Sequence, residues 1–422
     1  MKIITTGDWH LGNMFHGNDR SREHEHFLNW LINRIEEEQP DALLIAGDVY
    51  DNGNPSATAQ SLYYGFLAEA TLVCPDIQII VIAGNHDSAY RLEAPRVLLS
   101  RHKVEVRGAV HRHWITDDDE GFWEIDYDDL MIPVEGKSGD KIVVLAVPYL
   151  RNDVVQNESY SAGVKKILQE LTLRAREKYP DVPLVMMAHL YASGADIAKK
   201  DASEKIVIGG QEEVNMSGWE DHPDYFTCGH IHKRQHIFNT DWARYSGSVL
   251  PMSFAEIDYH HGVDMITFTP DAKPEIKFLE YIPQHKLKIL PENDEPLKFA
   301  KLKKIIEKEL PDRLPDGKLN QDDFLYLVLK IVQENVNNDL IKELEALLSK
   351  KNVVVCKIQK IVPTIDISTI TSNEKLQSID DILDRDPLDT LKEAFATKFS
   401  REMTENQVNL LKSMLDSLTE EL

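Results

Sequence analysis

Five short apolar runs, each leading into side chains that bind metals, constrain this chain more than any other feature. The runs are Ile3-Ile4, Ala42–Ala46, Ile79–Ala83, Leu184–Met187 and Tyr225–Cys228. They lead into Gly7-Asp8-Trp9-His10, Gly47-Asp48, Gly84-Asn85-His86-Asp87, Ala188-His189 and Gly229-His230-Ile231-His232. Short apolar runs bounded by Gly and polar residues read as buried strands. In an α/β sheet ligands bind in the crevice outside the carboxyl ends of the strands. Residues as far apart in sequence as Asp8 and His232 can therefore converge on one point.

The donors are carboxylates, imidazoles and one amide, with no thiolate. That mixture suits Mn, Fe or Zn better than a soft site. Seven ligands (Asp8, His10, Asp48, Asn85, His189, His230 and His232) are too many for one tetrahedral ion and suit two ions that share a carboxylate, about 3.5–4 Å apart in two-metal hydrolases. A lone Asp-x-His is a common accident of sequence. Five ordered motifs at strand ends are not.

In this order the motifs resemble those of the calcineurin-like metallophosphoesterases. Their wording is similar to the SbcD-like family within them, the nuclease subunits of bacterial SbcCD complexes. Asp8–Gly12, Ala46–Asp51, Ala83–Ser88, Gly229–His232 and Tyr245–Phe254 carry the likeness, which runs from Met1 to about Phe268 and is weaker beyond. The resemblance implies an α/β fold, a four-layer α/β/β/α metallophosphoesterase sandwich with a small α+β capping domain and C-terminal helices. It implies one divalent ion on Asp8, His10, Asp48 and His232 and a second on Asp48, Asn85, His189 and His230. Mn is expected foremost, with Mg, Fe or Zn as alternatives. His86 follows a ligand directly and is expected to face the phosphate as proton donor or transition-state stabiliser; Asp87 is expected to orient a ligand histidine. Some relatives carry a second active-site histidine where Asp51-Asn52-Gly53 stands here.

Charge qualifies the nuclease expectation. With 47 Lys and Arg against 71 Asp and Glu the formal net charge is -24, whereas contacts to DNA phosphates come from Lys and Arg. Bound divalent ions would offset some of this at the reaction centre. Residues 285–362 hold 15 Lys and Arg against 13 Asp and Glu, so the remainder carries -26. Much of the DNA affinity is therefore expected from a partner. The resemblance supplies one, an SbcC-type coiled-coil ATPase. It also implies double-stranded DNA ends and hairpins as substrates and a homodimer. Three scattered cysteines fit a reducing compartment. The opening has no signal-peptide pattern and no apolar run is long enough to span a membrane, so the cytoplasm is the expected location and no membrane partner is expected.

Along the chain, Phe27, Leu28, Leu31, Ile32 and Ile35 recur at helical spacing. Further helices are expected over about 57–72, 91–101 and 159–178, with an acidic hairpin or loop across 111–140. Apolar residues of the 57–72 and 91–101 helices are either core or, by resemblance, the homodimer contact. Gly136-Lys137-Ser138 ends like a phosphate loop, but Met131 stands where the first Gly is required, which excludes an ATP site there. The expected domains are a nuclease domain at 1–275, a DNA-binding capping domain at 284–362 with a Lys-rich helix, a linker at 363–379, and a helical ATPase-binding segment at 380–422. In that last segment Leu388, Leu391, Phe395 and Phe399 make one apolar face, and Val408, Leu411, Met414, Leu415 and Leu418 another.

Two other functions compete. One is a phosphatase or cyclic-nucleotide phosphodiesterase on the same core. Phosphoprotein phosphatases of this superfamily read Gly-Asp-x-Val-Asp-Arg-Gly, and Asn52 replaces that Arg here. The other is an assembly protein with a vestigial metal site, against which the intact ligand set argues.

Overall fold

A computed structural model describes residues 1–117, 120–155, 159–196, 213–237, 240–269, 272–293, 295–332 and 338–361, and beyond them only 388, 392, 403, 404, 407, 408 and 412. Residues 1–361 form one compact unit and 362–422 a second. The expected linker, most of both C-terminal helices, and 197–212 of the long connection after His189 lie outside the described residues.

Two six-stranded sheets organise the first unit. In the first, Lys2–Thr6, Ala42–Ala46, Gln78–Ile82 and Val104–Arg107 run parallel. His261–Thr267 pairs antiparallel with Lys2–Thr6, and Glu275–Tyr281 pairs antiparallel on its other side. In the second, Lys141–Ala146, Leu184–His189, Tyr225–Gly229 and Ala243–Tyr245 are parallel. Met131–Glu135 and Gln235–His236 close its edges antiparallel. The parallel strands are apolar on both faces because both are covered. Leu44, Ala46, Ile80 and Ile82 of the first sheet pack against Val144, Ala146, Val185 and Met187 of the second, forming the inner core. The outer face of the first sheet is covered through Phe27, Leu31, Tyr63 and Phe66 of helices Ser21–Glu38 and Ala57–Val73. That of the second is covered through Val164, Leu168 and Leu171 of helix Tyr160–Lys178. The result is the α/β/β/α sandwich.

Three expectations need correction. Of the stretch expected as a hairpin or loop over 111–140, Arg112–Asp117 and Glu120–Ile125 form a hairpin, but Met131–Glu135 is an edge strand of the second sheet. The helix expected over 91–101 is broken into Ala89–Glu93, Arg96–Leu99 and a 3-10 turn at Ser100–His102. Pro95 lies at the break; it has no N–H to donate and its ring crowds the preceding turn. Residues 276–281, left between the expected domains at 1–275 and 284–362, instead belong to a seven-residue edge strand of the first sheet, Glu275–Tyr281. Its exposed charged residues, Glu275, Lys277 and Glu280, suit an edge and hid it from a reading based on apolar runs.

Residues 286–361 build a small parallel sheet, Lys286–Leu290, Leu325–Val332 and Val353–Ile361, with helices Phe299–Glu309 and Asn338–Leu348. It has its own core, including Leu302, Ile306, Leu327, Leu329 and Leu344. A separate aromatic cluster joins it to the sandwich: Phe15 packs edge-on to Tyr326, 4.9 Å between centroids, with Phe254 also against it at 5.6 Å.

Candidate metal centre

Every residue expected to bind metal sits at or just after the carboxyl end of a parallel strand. Asp8 and His10 follow Lys2–Thr6, Asp48 follows Ala42–Ala46, and Asn85 follows Gln78–Ile82. His189 ends its strand, and His230 and His232 follow Tyr225–Gly229. The first two loops are zipped together: Asp8 N donates to Gly47 O (3.0 Å), His10 N to Asp48 O (2.9 Å) and Leu11 N to Val49 O (2.9 Å). Asp8, His10, Asp48 and His230 all take positive φ, between 48° and 96°. For non-Gly residues such backbone costs on the order of 1–3 kcal/mol each and persists where the surroundings enforce it. Gly84 serves close approach, since a Cβ there would lie 2.1 Å from Asp48 Oδ1.

The structure brings all seven side chains into one cluster. Donor atoms of Asp8, His10 and His232 lie within 4.8 Å of one another, as do those of Asp8, Asp48 and His189. Asp48 Oδ2 is 3.7 Å from His10 Nε2 and 3.3 Å from His189 Nε2. Asn85 Oδ1 meets His189 Nε2 at 2.9 Å and His230 Nδ1 at 3.0 Å. Asp48 is thus the carboxylate between the two groups. His189 turns its other nitrogen to the Ala46 carbonyl (2.9 Å), which assigns the proton to Nδ1 and leaves Nε2 for the centre.

Electrostatics follow from burial. Burial pushes the Asp8 carboxyl up to about 6, against the pull of His189 and His232. Burial acts on Asp48 in the same direction, yet His189 and His10 outweigh it and hold that carboxyl well below its usual range. Burial alone would depress His189, but the Asp48 carboxylate raises it to about 9. His10 and His230 are depressed chiefly by burial, His230 to about 3. Burial thus favours neutral His10 and His230, the form that binds borderline divalent ions, whereas His189, held charged by Asp48, would have to release a proton to bind one. His10 Nε2 is buried with no hydrogen-bond partner among the described residues. An orphaned imidazole nitrogen facing a carboxylate fits a cation, and the donor set fits two.

His86 is exposed. Its Nδ1 meets the Asp51 carbonyl at 2.8 Å, and its backbone N donates to Asp48 Oδ1 at 2.9 Å. Its ring stands edge-on to His10, 4.8 Å between centroids. Asp51 therefore acts here as a backbone acceptor, while its carboxylate accepts from Asn13 Nδ2 at 2.8 Å. Asp87 does not orient a histidine. Its carboxylate accepts from the backbone N–H groups of Val49, Tyr50 and Gly84 (2.9–3.1 Å), tying the loop that carries Asp48 to the loop that carries Asn85. Three N–H groups converge on it, and among the described residues no ring nitrogen does. Sequence reasoning missed Glu256, whose Oε1 meets His232 Nδ1 at 3.1 Å. It lies just past the motif ending at Phe254, and nothing in its own neighbourhood marks it as a partner of His232.

Residues 1–234 match the Calcineurin-like phosphoesterase family. SbcD, the nuclease component of SbcCD, from Rhodobacter capsulatus is 33% identical over 342 residues, 78% of this chain and 80% of that one. Its Escherichia coli counterpart is 31% identical, over 64% of this chain and 65% of that one. The Bacillus subtilis protein is 30% identical, over 65% and 67%.

Proposed function

The chain belongs to the calcineurin-like phosphoesterase family and to its SbcD branch, and from that premise we propose how its residues carry out divalent-metal-dependent hydrolysis of DNA phosphodiesters. It is a nuclease subunit. Asp8, His10, Asp48 and His232 hold one divalent ion; Asp48, Asn85, His189 and His230 hold the other. When bound, such a pair acidifies a water and stabilises charge on the attacking and leaving oxygens. Mn suits the oxygen and imidazole donors. Asn85 is a neutral ligand, so it does not add to the negative charge that a phosphate meets. Asp8, Asp48 and Asp87 are buried, which keeps the negative side chains out of solvent at the mouth of the site. His86 directs its Nδ1–H to the Asp51 carbonyl, so in the doubly protonated ring the Nε2–H is the proton that would pass to the leaving oxygen, leaving the neutral Nδ1–H ring. One observation carries the reading: seven candidate ligand side chains from five strand ends meet in one cluster, five of them buried and Asn85 and His230 half-buried, with the imidazole of His86 beside it.

The proximity of His86 to His10 and Asp48, with donor atoms within 4.8 Å, favours a second reading in which His86 is itself a ligand. Metal retention in a His86 variant separates the two.

The partners follow from the same premise. The name SbcCD, carried by the relatives, points to an SbcC component, a coiled-coil ATPase by the family resemblance, and DNA as substrate. Residues 380–422 are assigned to that component and 284–362 to capping and DNA contact. Of the Lys-rich helix, Lys301, Lys304 and Lys308 are exposed, whereas Lys303 is paired with Glu343 at 2.7 Å. Exposed Tyr90, Val97 and Leu98 support a homodimer contact there. The cytoplasm is the proposed location; among the described residues no helix is long and apolar enough to cross a membrane. The experiment is end-labelled linear duplex DNA with Mn, with and without the ATPase component and ATP, against a phosphomonoester. Cleavage of duplex and not of monoester supports the nuclease; the reverse preference favours the phosphatase.

A further inference from the structure

The stretch Tyr245–Glu256 has no role in that reaction as described, yet it is tied to His232 near both ends, through Ser248 and Glu256, and between them to Arg20 and to the aromatic cluster under the cap. Ser248 N donates to the His232 carbonyl at 2.9 Å. Gly247, at φ 76°, lets the chain pass so close that a Cβ would lie 2.8 Å from that same carbonyl and 2.7 Å from Arg234 N. The segment then turns so that Glu256, wholly buried, presents one oxygen to His232 Nδ1 (3.1 Å) and the other to Met252 N (2.8 Å). Next to Met252, the Pro251 carbonyl accepts from Arg20 Nη1 at 2.6 Å. Arg20 is itself held in a two-pronged pair by Glu23, Nε to Oε2 at 3.0 Å and Nη2 to Oε1 at 2.9 Å. Glu23 Oε2 also accepts from the hydroxyl of Tyr326, on the central strand of the cap, at 2.9 Å. Arg20, Glu23, Glu256 and Tyr326 are all at most 1% exposed.

We propose that Glu256 is a positioning residue for His232, and that the buried chain Tyr326–Glu23–Arg20–Pro251–Met252–Glu256 makes the seating of the cap set the orientation of that ligand. The proposal rests on the two-metal reading of the centre. Its physical content is specific. A carboxylate on Nδ1 fixes the tautomer of His232, leaves Nε2 for the metal and raises its basicity. Each carboxylate oxygen in the chain has a donor, as a buried charged network requires to hold one geometry. Phe254, two residues before Glu256, also packs on Phe15, which packs on Tyr326, so the apolar contacts run beside the polar ones. Movement of the cap that withdraws the Tyr326 hydroxyl loosens Glu23 on Arg20, frees the 251–252 turn and lets Glu256 release the imidazole. Contact between DNA and the cap would reach the metal centre by this route.

The test measures Mn affinity of the full chain by calorimetric titration, alongside thermal unfolding without metal. Glu256→Ala is expected to weaken Mn binding 10- to 100-fold, the usual effect of removing such a partner. Glu256→Gln, which keeps one acceptor oxygen, should fall between it and the wild type. Tyr326→Phe, remote from the centre, should weaken Mn binding about 2- to 30-fold. Leu329→Ala, in the core of the cap and off the chain of contacts, should lower the melting temperature and leave Mn affinity unchanged. Unaltered affinity in Glu256→Ala and Glu256→Gln would overturn the positioning role. Affinity losses in Tyr326→Phe no larger than in Leu329→Ala would overturn the link to the cap. A wild-type chain that binds no Mn would instead overturn the two-metal reading itself, which keeps the two failures apart.

Discussion

The metal centre and the seam beneath the cap are both buried clusters of charge, and the chain encodes them in opposite ways. At the metal centre the residues come in local words, Asp8-Trp9-His10 or Gly229-His230-Ile231-His232, placed by strand ends and held in left-handed backbone. At the seam, Arg20 meets Pro251 and Glu23 meets Tyr326 across 231 and 303 positions of sequence. The centre leaves a ring nitrogen orphaned, at His10. The seam pairs Arg20 on three sides, although His24 and Nδ1 of His285 beside Glu23 have no hydrogen-bond partner among the described residues either. What separates them is the cation: the seam holds its own, Arg20 on Glu23, and so fixes two parts of the chain in one arrangement, whereas the described carboxylates and imidazoles of the centre gather around no Lys or Arg.

That contrast can be broken in order of expected effect. Asp48→Asn should abolish cleavage and weaken binding of both ions, because one side chain lies between the two ligand groups; elemental analysis finding two ions and a wild-type rate would break the assignment. His86→Ser should keep both ions and lose roughly 10²–10⁴-fold in rate, the usual effect of general acid–base help; loss of metal with the activity would make His86 a ligand. At the seam, Glu23→Gln should destabilise by about 3 kcal/mol, since Arg20 is left buried without its counter-ion, and, as a link in the chain to Glu256, should weaken Mn affinity without changing the number of ions bound at saturation. The same pair predicts a pH dependence. Burial pushes the Glu23 carboxyl up, but His285 and Arg20 outweigh it and hold it down at about 2. A depressed carboxylate contributes stability fully above its ordinary value of 4.5 and loses it as pH falls toward 2. The urea midpoints of wild type and Glu23→Gln should therefore differ most near neutrality and converge below pH 4.5. The smallest effect is on DNA: replacing Lys301, Lys304 and Lys308 by Ala should flatten the salt dependence of duplex binding by about 2–3 units of slope, and an unchanged slope would make this helix an ordinary solvated face.

What could be read in advance divides along the same line. Parallel strands buried on both faces write themselves as apolar runs, so the strands that carry Asp8, Asp48, Asn85, His189 and His230 were legible, and so was the gathering of these side chains at their ends. The edge strand Glu275–Tyr281 was not, because its exposed positions carry charges and it looks like a linker. The break at Pro95 was legible in principle, but the apolar spacing of Leu98 and Leu99 suggested continuity. His86 was assigned away from the metals by its place beside Asn85, whereas the backbone role of Asp87 could not be seen, since its partners are main-chain N–H groups without sequence identity. Glu23, Arg20 and Glu256 were invisible for a related reason. A lone charged residue is usually solvated, and only its long-range partners reveal that it is buried.

The central claim is that two ions share Asp48, and electron paramagnetic resonance of the Mn-loaded chain tests it most directly. Two Mn per chain are expected, with a spectrum of exchange-coupled ions bridged by one carboxylate, replaced by weakened, uncoupled binding in Asp48→Asn. One Mn per chain, or two with the six-line spectra of isolated ions, would contradict it.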